Sequence, residues 1–145
     1  MRSFLFPDVN VWLALTVARH THHSAALQWL DSLEVAQLYF CRLTQIALLR
    51  LLTTPQVMGE DVLSQGRAWA AYNRWFEDGR AGFHPEPDAA GLDRLFHRFS
   101  VGPHSSPKLW SDAYLAAFAT LASLTLVTFD RALARLVPDR ALVLS

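Results

Sequence analysis

SFLFPD, residues 3–8, is a short apolar run that ends on a proline and a carboxylate. Its length and continuity suit a buried strand better than an amphipathic helix. A helix start, WLALTVAR (12–19), follows, with Asp8 or Asn10 available as its cap. Residues 124–130, LTLVTFD, repeat the arrangement: a β-branched strand TLVTF (125–129), then Asp130, then a short helix RALARL (131–136). If the two strands are parallel neighbours, Asp8 and Asp130 emerge at the same sheet edge.

The segments between them alternate in the same way. Thr21 is placed to cap a helix over HSAALQWLDSL (23–33), and QLYFCRL (37–43) reads as a strand with Cys41 in its interior. TQIALLRLLT (44–53) is a helix ending before Pro55, and residues 62–79 form a longer amphipathic helix closed by Gly79. FHPEP (83–87) is a short edge strand limited by its prolines. Helices follow over GLDRLFHRF (91–99) and KLWSDAYLAAFATLASL (108–124), and ALVL (141–144) is a last strand. Strands alternating with helices predict an α/β fold, a doubly wound parallel sheet flanked by helices, in one domain spanning residues 1–145. In such sheets ligands bind beyond the carboxyl ends of the strands, at a topological switch point.

Composition narrows the function. The chain has 145 residues, of which 52% are hydrophobic, enough for a buried core. Formal net charge is zero, so the chain as a whole is no polyanion binder, and nucleic-acid contact must come from local clusters. Charged or polar residues interrupt every apolar run before it reaches membrane-spanning length, so no membrane association is expected. The N-terminal residues are strand-like and carry no signal-segment pattern, which predicts a cytoplasmic location. A lone cysteine cannot form an internal disulfide, and Cys41 reads as a small buried hydrophobe.

Asp112 lies in KLWSDAYLAAFA (108–119), on a helix that is apolar almost all round. A charge there faces either the sheet edge or a costly burial. Together Asp8, Asp112 and Asp130 form a set of oxygen donors whose mutual repulsion demands a cation among them, and a hard divalent metal is the simplest one. Each also has a purely structural reading. Asp8 and Asp130 are favoured helix caps, and Lys108 stands four residues before Asp112 as a possible ion-pair partner.

Around this set, Asn10 and Thr128 are candidates to hydrogen-bond the ligating carboxylates, or simple turn and cap residues. Arg50, with Arg67, Arg74 and Arg80, is a candidate nucleic-acid phosphate contact, the alternative being a solvated helix face. His22 and His23 open a helix, where a solvated first turn is the plainer reading. Trp69, Tyr72, Trp75 and Phe76 share a stripe suited to a core or a protein interface.

The segments FPDVNVWLAL, HHSAALQWL, KLWSDAYLAAFA and LVTFDRAL resemble the PIN-domain ribonucleases, in particular the VapC toxins of bacterial toxin–antitoxin pairs. The resemblance implies a magnesium- or manganese-dependent (Mg²⁺ or Mn²⁺) endoribonuclease with Asp8, Asp112 and Asp130 as its catalytic, metal-binding cluster. It also implies an RNA substrate, a homodimer and a cognate small antitoxin whose basic side chain can enter the acidic cleft. There is one departure. The family usually carries a further acid early in the helix after its second strand, whereas CRLTQIALLRLLT offers only Thr44 and Gln45 there. Three carboxylates suffice for one ion with water completing its shell, and a second ion would be held less tightly. The competing reading is therefore a catalytically weak PIN-like module that binds metal, RNA or an antitoxin. A receiver-like signalling domain also gathers aspartates at a sheet edge, but it needs an acidic pair after the first strand and a lysine after the last, and neither is present.

Overall fold

The computed structural model describes residues 3–145. Five strands form one fully parallel sheet: β1 (Ser3–Pro7), β2 (Ala36–Phe40), β3 (Ala81–Phe83), β4 (Thr125–Thr128) and β5 (Ala141–Val143), in the order β3-β2-β1-β4-β5. The chain winds from β1 to β3 in one direction and from β4 to β5 in the other. The switch point therefore lies between β1 and β4, where Phe6 pairs with Leu126 and Pro7 with Val127.

Helices cover both faces. α1 (Val9–Thr16), α2 (His23–Asp31), α3 (Arg42–Leu52), the short α4 (Pro55–Met58) and α5 (Gln65–Glu77) belong to one side, and α6 (Ala89–Ser100), α7 (Leu109–Ala122) and α8 (Arg131–Ala134) to the other. The period-2 alternation of the strands feeds both cores. Leu5 and Val127 pack on the α1 side, and Phe6 and Leu126 pack on the α7 side. This explains the nearly continuous apolar strands, which are buried on both faces. Trp12 stacks on Phe40 with ring centroids 3.8 Å apart in the first core, and Phe6 stacks on Phe118 at 4.8 Å in the second. α7 buries Ala113 and Leu115 to Ala119. Its alanines allow close approach to the sheet and to α6. Ser123 then takes a left-handed conformation (φ 57°) that turns the chain directly into β4.

Several boundaries differ from the sequence expectation. α1 starts three residues early, because Asp8 caps it by accepting from the Val11 N–H at 3.0 Å. Thr21 caps nothing: His22 occupies the cap position of α2 and makes no side-chain cap bond. β2 ends at Phe40, and Cys41 is the cap residue of α3, its N–H bonded to Thr44 Oγ1 at 3.0 Å, rather than a strand-interior residue. α5 begins at Gln65 under a Ser64 cap, after α4 and a 3₁₀ turn (Gly59–Asp61) that the sequence reading passed over. It ends at Glu77 without a left-handed Gly79; instead Asp78 accepts from the Arg80 N–H at 3.0 Å. β3 ends at Phe83, where the expected strand began, since Pro85 and Pro87 have no N–H for a ladder. No helix among the described residues is long and apolar enough to cross a membrane.

Candidate metal centre

Asp8 directly follows β1, and its N–H donates to Val127 O at 2.9 Å, so the carboxyl end of β1 is pinned to β4. Both Asp8 oxygens are engaged. Oδ1 accepts from the Val11 N–H, and Oδ2 accepts from the Thr128 hydroxyl at 2.5 Å. Thr128 Oγ1 in turn accepts from the Asp130 N–H at 2.9 Å, which ties the two strand-end aspartates to one side chain. Asp130 caps α8: its Oδ1 accepts from the Ala132 and Leu133 N–H groups at 2.8 and 3.4 Å, and its Oδ2 forms an ion pair with Lys108. Asp112 sits in the first turn of α7, where the helix dipole favours a negative charge. Among the described residues its carboxylate makes no hydrogen bond or ion pair.

The three carboxylates act on one another. Burial pushes the Asp8 carboxyl above its ordinary range against the opposing Thr128 and Val11 hydrogen bonds, and the Asp112 and Asp130 charges push it the same way. Asp112 is also raised, by burial first and by Asp130, with Lys108 opposing. Asp130 is lowered, chiefly by its bond to Lys108 and then by the α8 amides. Two carboxylates held in a poorly solvated cleft beside a third, all hard oxygen donors, fit a hard divalent cation. Among the described residues no three His, Cys, Asp or Glu side chains already stand close enough to surround an ion. To surround one ion, the three side chains would have to draw together.

The other expected residues lie apart from this cleft or at its border. Asn10, the second residue of α1, is exposed and makes no hydrogen bond to the carboxylates. Arg50 lies on the last turn of α3, in a hollow lined by Ile46, Leu49, Thr53, Gln65, Ala68 and Trp69. α3 leaves the carboxyl edge at Arg42, so eight residues carry Arg50 about 12 Å along the helix. Arg80 precedes β3, at the opposite sheet edge, and pairs with Asp78 at 2.8 Å. Arg74 lies beside Asp78 and Trp75. An arginine rim beside the carboxylates is not formed. His23 Nδ1 lies 2.7 Å from Ala14 O, and His22 stacks on Phe129 at 4.8 Å. In the aromatic stripe Tyr72 is buried, Trp75 donates to Thr16 Oγ1 at 2.9 Å, and Trp69 is half exposed. The Cys41 thiol is buried and its pKa raised by that burial, which suits a packing role and not a nucleophile.

At the start of α3, Thr44 is committed to Cys41, and Gln45 is buried with its Oε1 accepting from Arg42 Nη1 at 2.5 Å. No fourth carboxylate stands there. Sequence reasoning paired Lys108 with Asp112, whereas the ion pair is made to Asp130. That contact spans α7 and β4, so spacing within one helix could not reveal it.

A doubly wound parallel sheet with aspartates gathered at its switch point defines an acidic-cleft α/β protein. The PIN-domain family model matches residues 5–137, and the chain belongs to the PIN-domain family. It is 43% identical over 135 residues to Ribonuclease VapC41 of Mycobacterium tuberculosis, covering 88% of this chain and 90% of that protein. It is 31% identical over 140 residues to Ribonuclease VapC29 of the same organism, covering 94% and 93%. Among solved structures, VapBC2 from Rickettsia felis bound to a DNA fragment from their promoter matches with a TM-score of 0.70 at 11% identity, over 98% of this chain and 99% of that one. Mycobacterium tuberculosis VapC20, a sarcin-ricin loop cleaving toxin, matches with a TM-score of 0.62 at 17% identity, over 92% and 94%. At those identities the two structures speak for the fold alone.

Proposed function

We propose that this chain is a metal-dependent endoribonuclease that hydrolyses RNA phosphodiesters as the toxin of a type II toxin–antitoxin pair, acting in the cytoplasm as one PIN-like domain over residues 1–145. The observation that carries this reading is that Asp8, Asp112 and Asp130 lie within electrostatic reach of one another at the switch-point edge of a PIN-domain chain. The kinship to two proteins named ribonucleases supports the reaction class. The partners are an RNA substrate, a cognate small antitoxin and a second copy of the chain. A basic antitoxin side chain would find the acidic cleft electrostatically complementary.

Asp8, Asp112 and Asp130 would hold the ion, Mg²⁺ or Mn²⁺ by the hardness of the donors. When bound, such an ion neutralises charge on the scissile phosphate and lowers the pKa of a water. The protein's own contribution is positional. Thr128 and the Val11 amide fix both oxygens of Asp8, and the α8 amides fix Oδ1 of Asp130 while leaving Oδ2 on the cleft side. Asp112 supplies a carboxylate with no competing bond among the described residues. Rigid anchoring of two carboxylates and freedom of the third suit a site that closes only when a cation arrives.

The buried, arginine-bonded Gln45 in place of an acid favours a second reading, a weakly catalytic module that binds metal, RNA or an antitoxin. RNA cleavage with Mn²⁺, compared between the native chain and Asp8→Asn, separates the two. Cleavage by the native chain alone is expected. Cleavage by both would indicate a contaminating nuclease, and cleavage by neither would favour the binding module.

A further inference from the structure

Lys108 is the single lysine of the sequence, and its ammonium stands at the acidic cluster. It donates to Asp130 Oδ2 and lies within electrostatic reach of Asp112 and Asp8. Among the described residues Lys108 is the cation that forms an ion pair with the cluster. Asp130 Oδ1 is held by the α8 amides, so Oδ2 is the oxygen left to ligate, and Lys108 covers it. A cation entering the cleft must therefore displace the ammonium. The Lys108 side chain is 68% exposed, on a flexible stem with no other hydrogen bond among the described residues, so displacement disturbs no packing.

Once displaced, the ammonium remains beside the place where a bound strand brings its phosphates. Arg50, Arg74 and Arg80, by contrast, occupy other hollows or the far sheet edge. We propose that Lys108 is the resident counter-ion of the carboxylate cluster, yielding Asp130 to an entering divalent cation and then contacting a phosphate of the RNA strand. The second half rests on the nuclease reading of the site; the first does not.

Lys108→Met and Lys108→Arg test both halves. In calorimetric titration with Mn²⁺ and no RNA, Lys108→Met binds the ion roughly fivefold more tightly than the native chain, the scale of one unit charge near a solvated contact. Lys108→Arg stays near native. Unchanged affinity in Lys108→Met overturns the exchange. In fluorescence anisotropy with a labelled single-stranded RNA at saturating Ca²⁺, Lys108→Met binds more weakly, and its logarithmic salt slope falls by about one. Lys108→Arg restores both values. Native affinity and slope in Lys108→Met overturn the phosphate contact. A native chain that cuts no RNA yet shows both responses would sink the nuclease reading and support the exchange.

Discussion

Thr128 donates its hydroxyl to Asp8 Oδ2 at 2.5 Å across 120 positions of sequence, and Thr128 Oγ1 itself accepts the Asp130 N–H at 2.9 Å. One fully buried threonine thus sets the separation of two strand-end carboxylates. Thr128→Val keeps the shape and removes the hydroxyl. It should leave Asp8 Oδ2 and the Asp130 amide without partners, costing about 1–3 kcal/mol of stability. Metal-dependent RNA cleavage should fall about 10–100-fold, the usual effect of removing a group that orients a ligand. Thr128→Ser should stay near native in both. Urea melts and initial cleavage rates measure the two effects.

Asp8 makes a pH prediction whose sign is opposite to that of a salt-bridged carboxylate. Its folded pKa is raised above the usual 3.8, so the native state holds the proton more tightly than the unfolded chain does. The resulting stabilisation is fully present below the unfolded value and is lost as pH rises through the raised folded value. In chelator at neutral pH, Asp8→Asn should therefore melt at or above the native temperature, and its advantage should shrink on acidification. Asp130, lowered by Lys108, acts in the other direction and is present in both proteins. Asp8→Ala should instead be destabilised, because losing a helix cap costs about 1 kcal/mol. Thermal melts across pH, in chelator, distinguish the two variants.

Divalent cations should stabilise the native chain through binding linkage. At a hundredfold excess of Mn²⁺ over its dissociation constant, the gain is about 2.7 kcal/mol, read as a rise in melting temperature that chelator reverses. Asp112→Asn should lose most of that rise while melting at or above the native temperature without metal, since its carboxylate is raised in pKa by burial.

The sheet was legible because its strands are nearly pure apolar runs, each flanked by helical periodicity, as SFLFPD and LTLVTFD show. Asp8 and Asp130 were legible for the same reason: a carboxylate just past the end of a buried parallel strand has only the sheet edge to occupy. Helix starts were less clear, because caps are decided by single hydrogen bonds. Asp8 took the cap position the sequence offered it, but Cys41, read as a strand-interior residue, caps α3. The Lys108–Asp130 pair and the burial of Gln45 depend on how loops fold back onto the edge, which spacing along one helix cannot encode. Arg50, Arg74 and Arg80 form no rim because each is carried by its own helix or strand away from the carboxylates.

Asp112→Asn tests the central claim most directly, since this carboxylate makes no structural bond among the described residues and its loss should leave the fold intact. The measurement is the rate of RNA cleavage at saturating Mn²⁺, with circular dichroism melts on the same samples. If the three carboxylates jointly hold a catalytic ion, the folded variant loses activity by at least the order of 100-fold. A folded Asp112→Asn that cuts RNA at the native rate would contradict it.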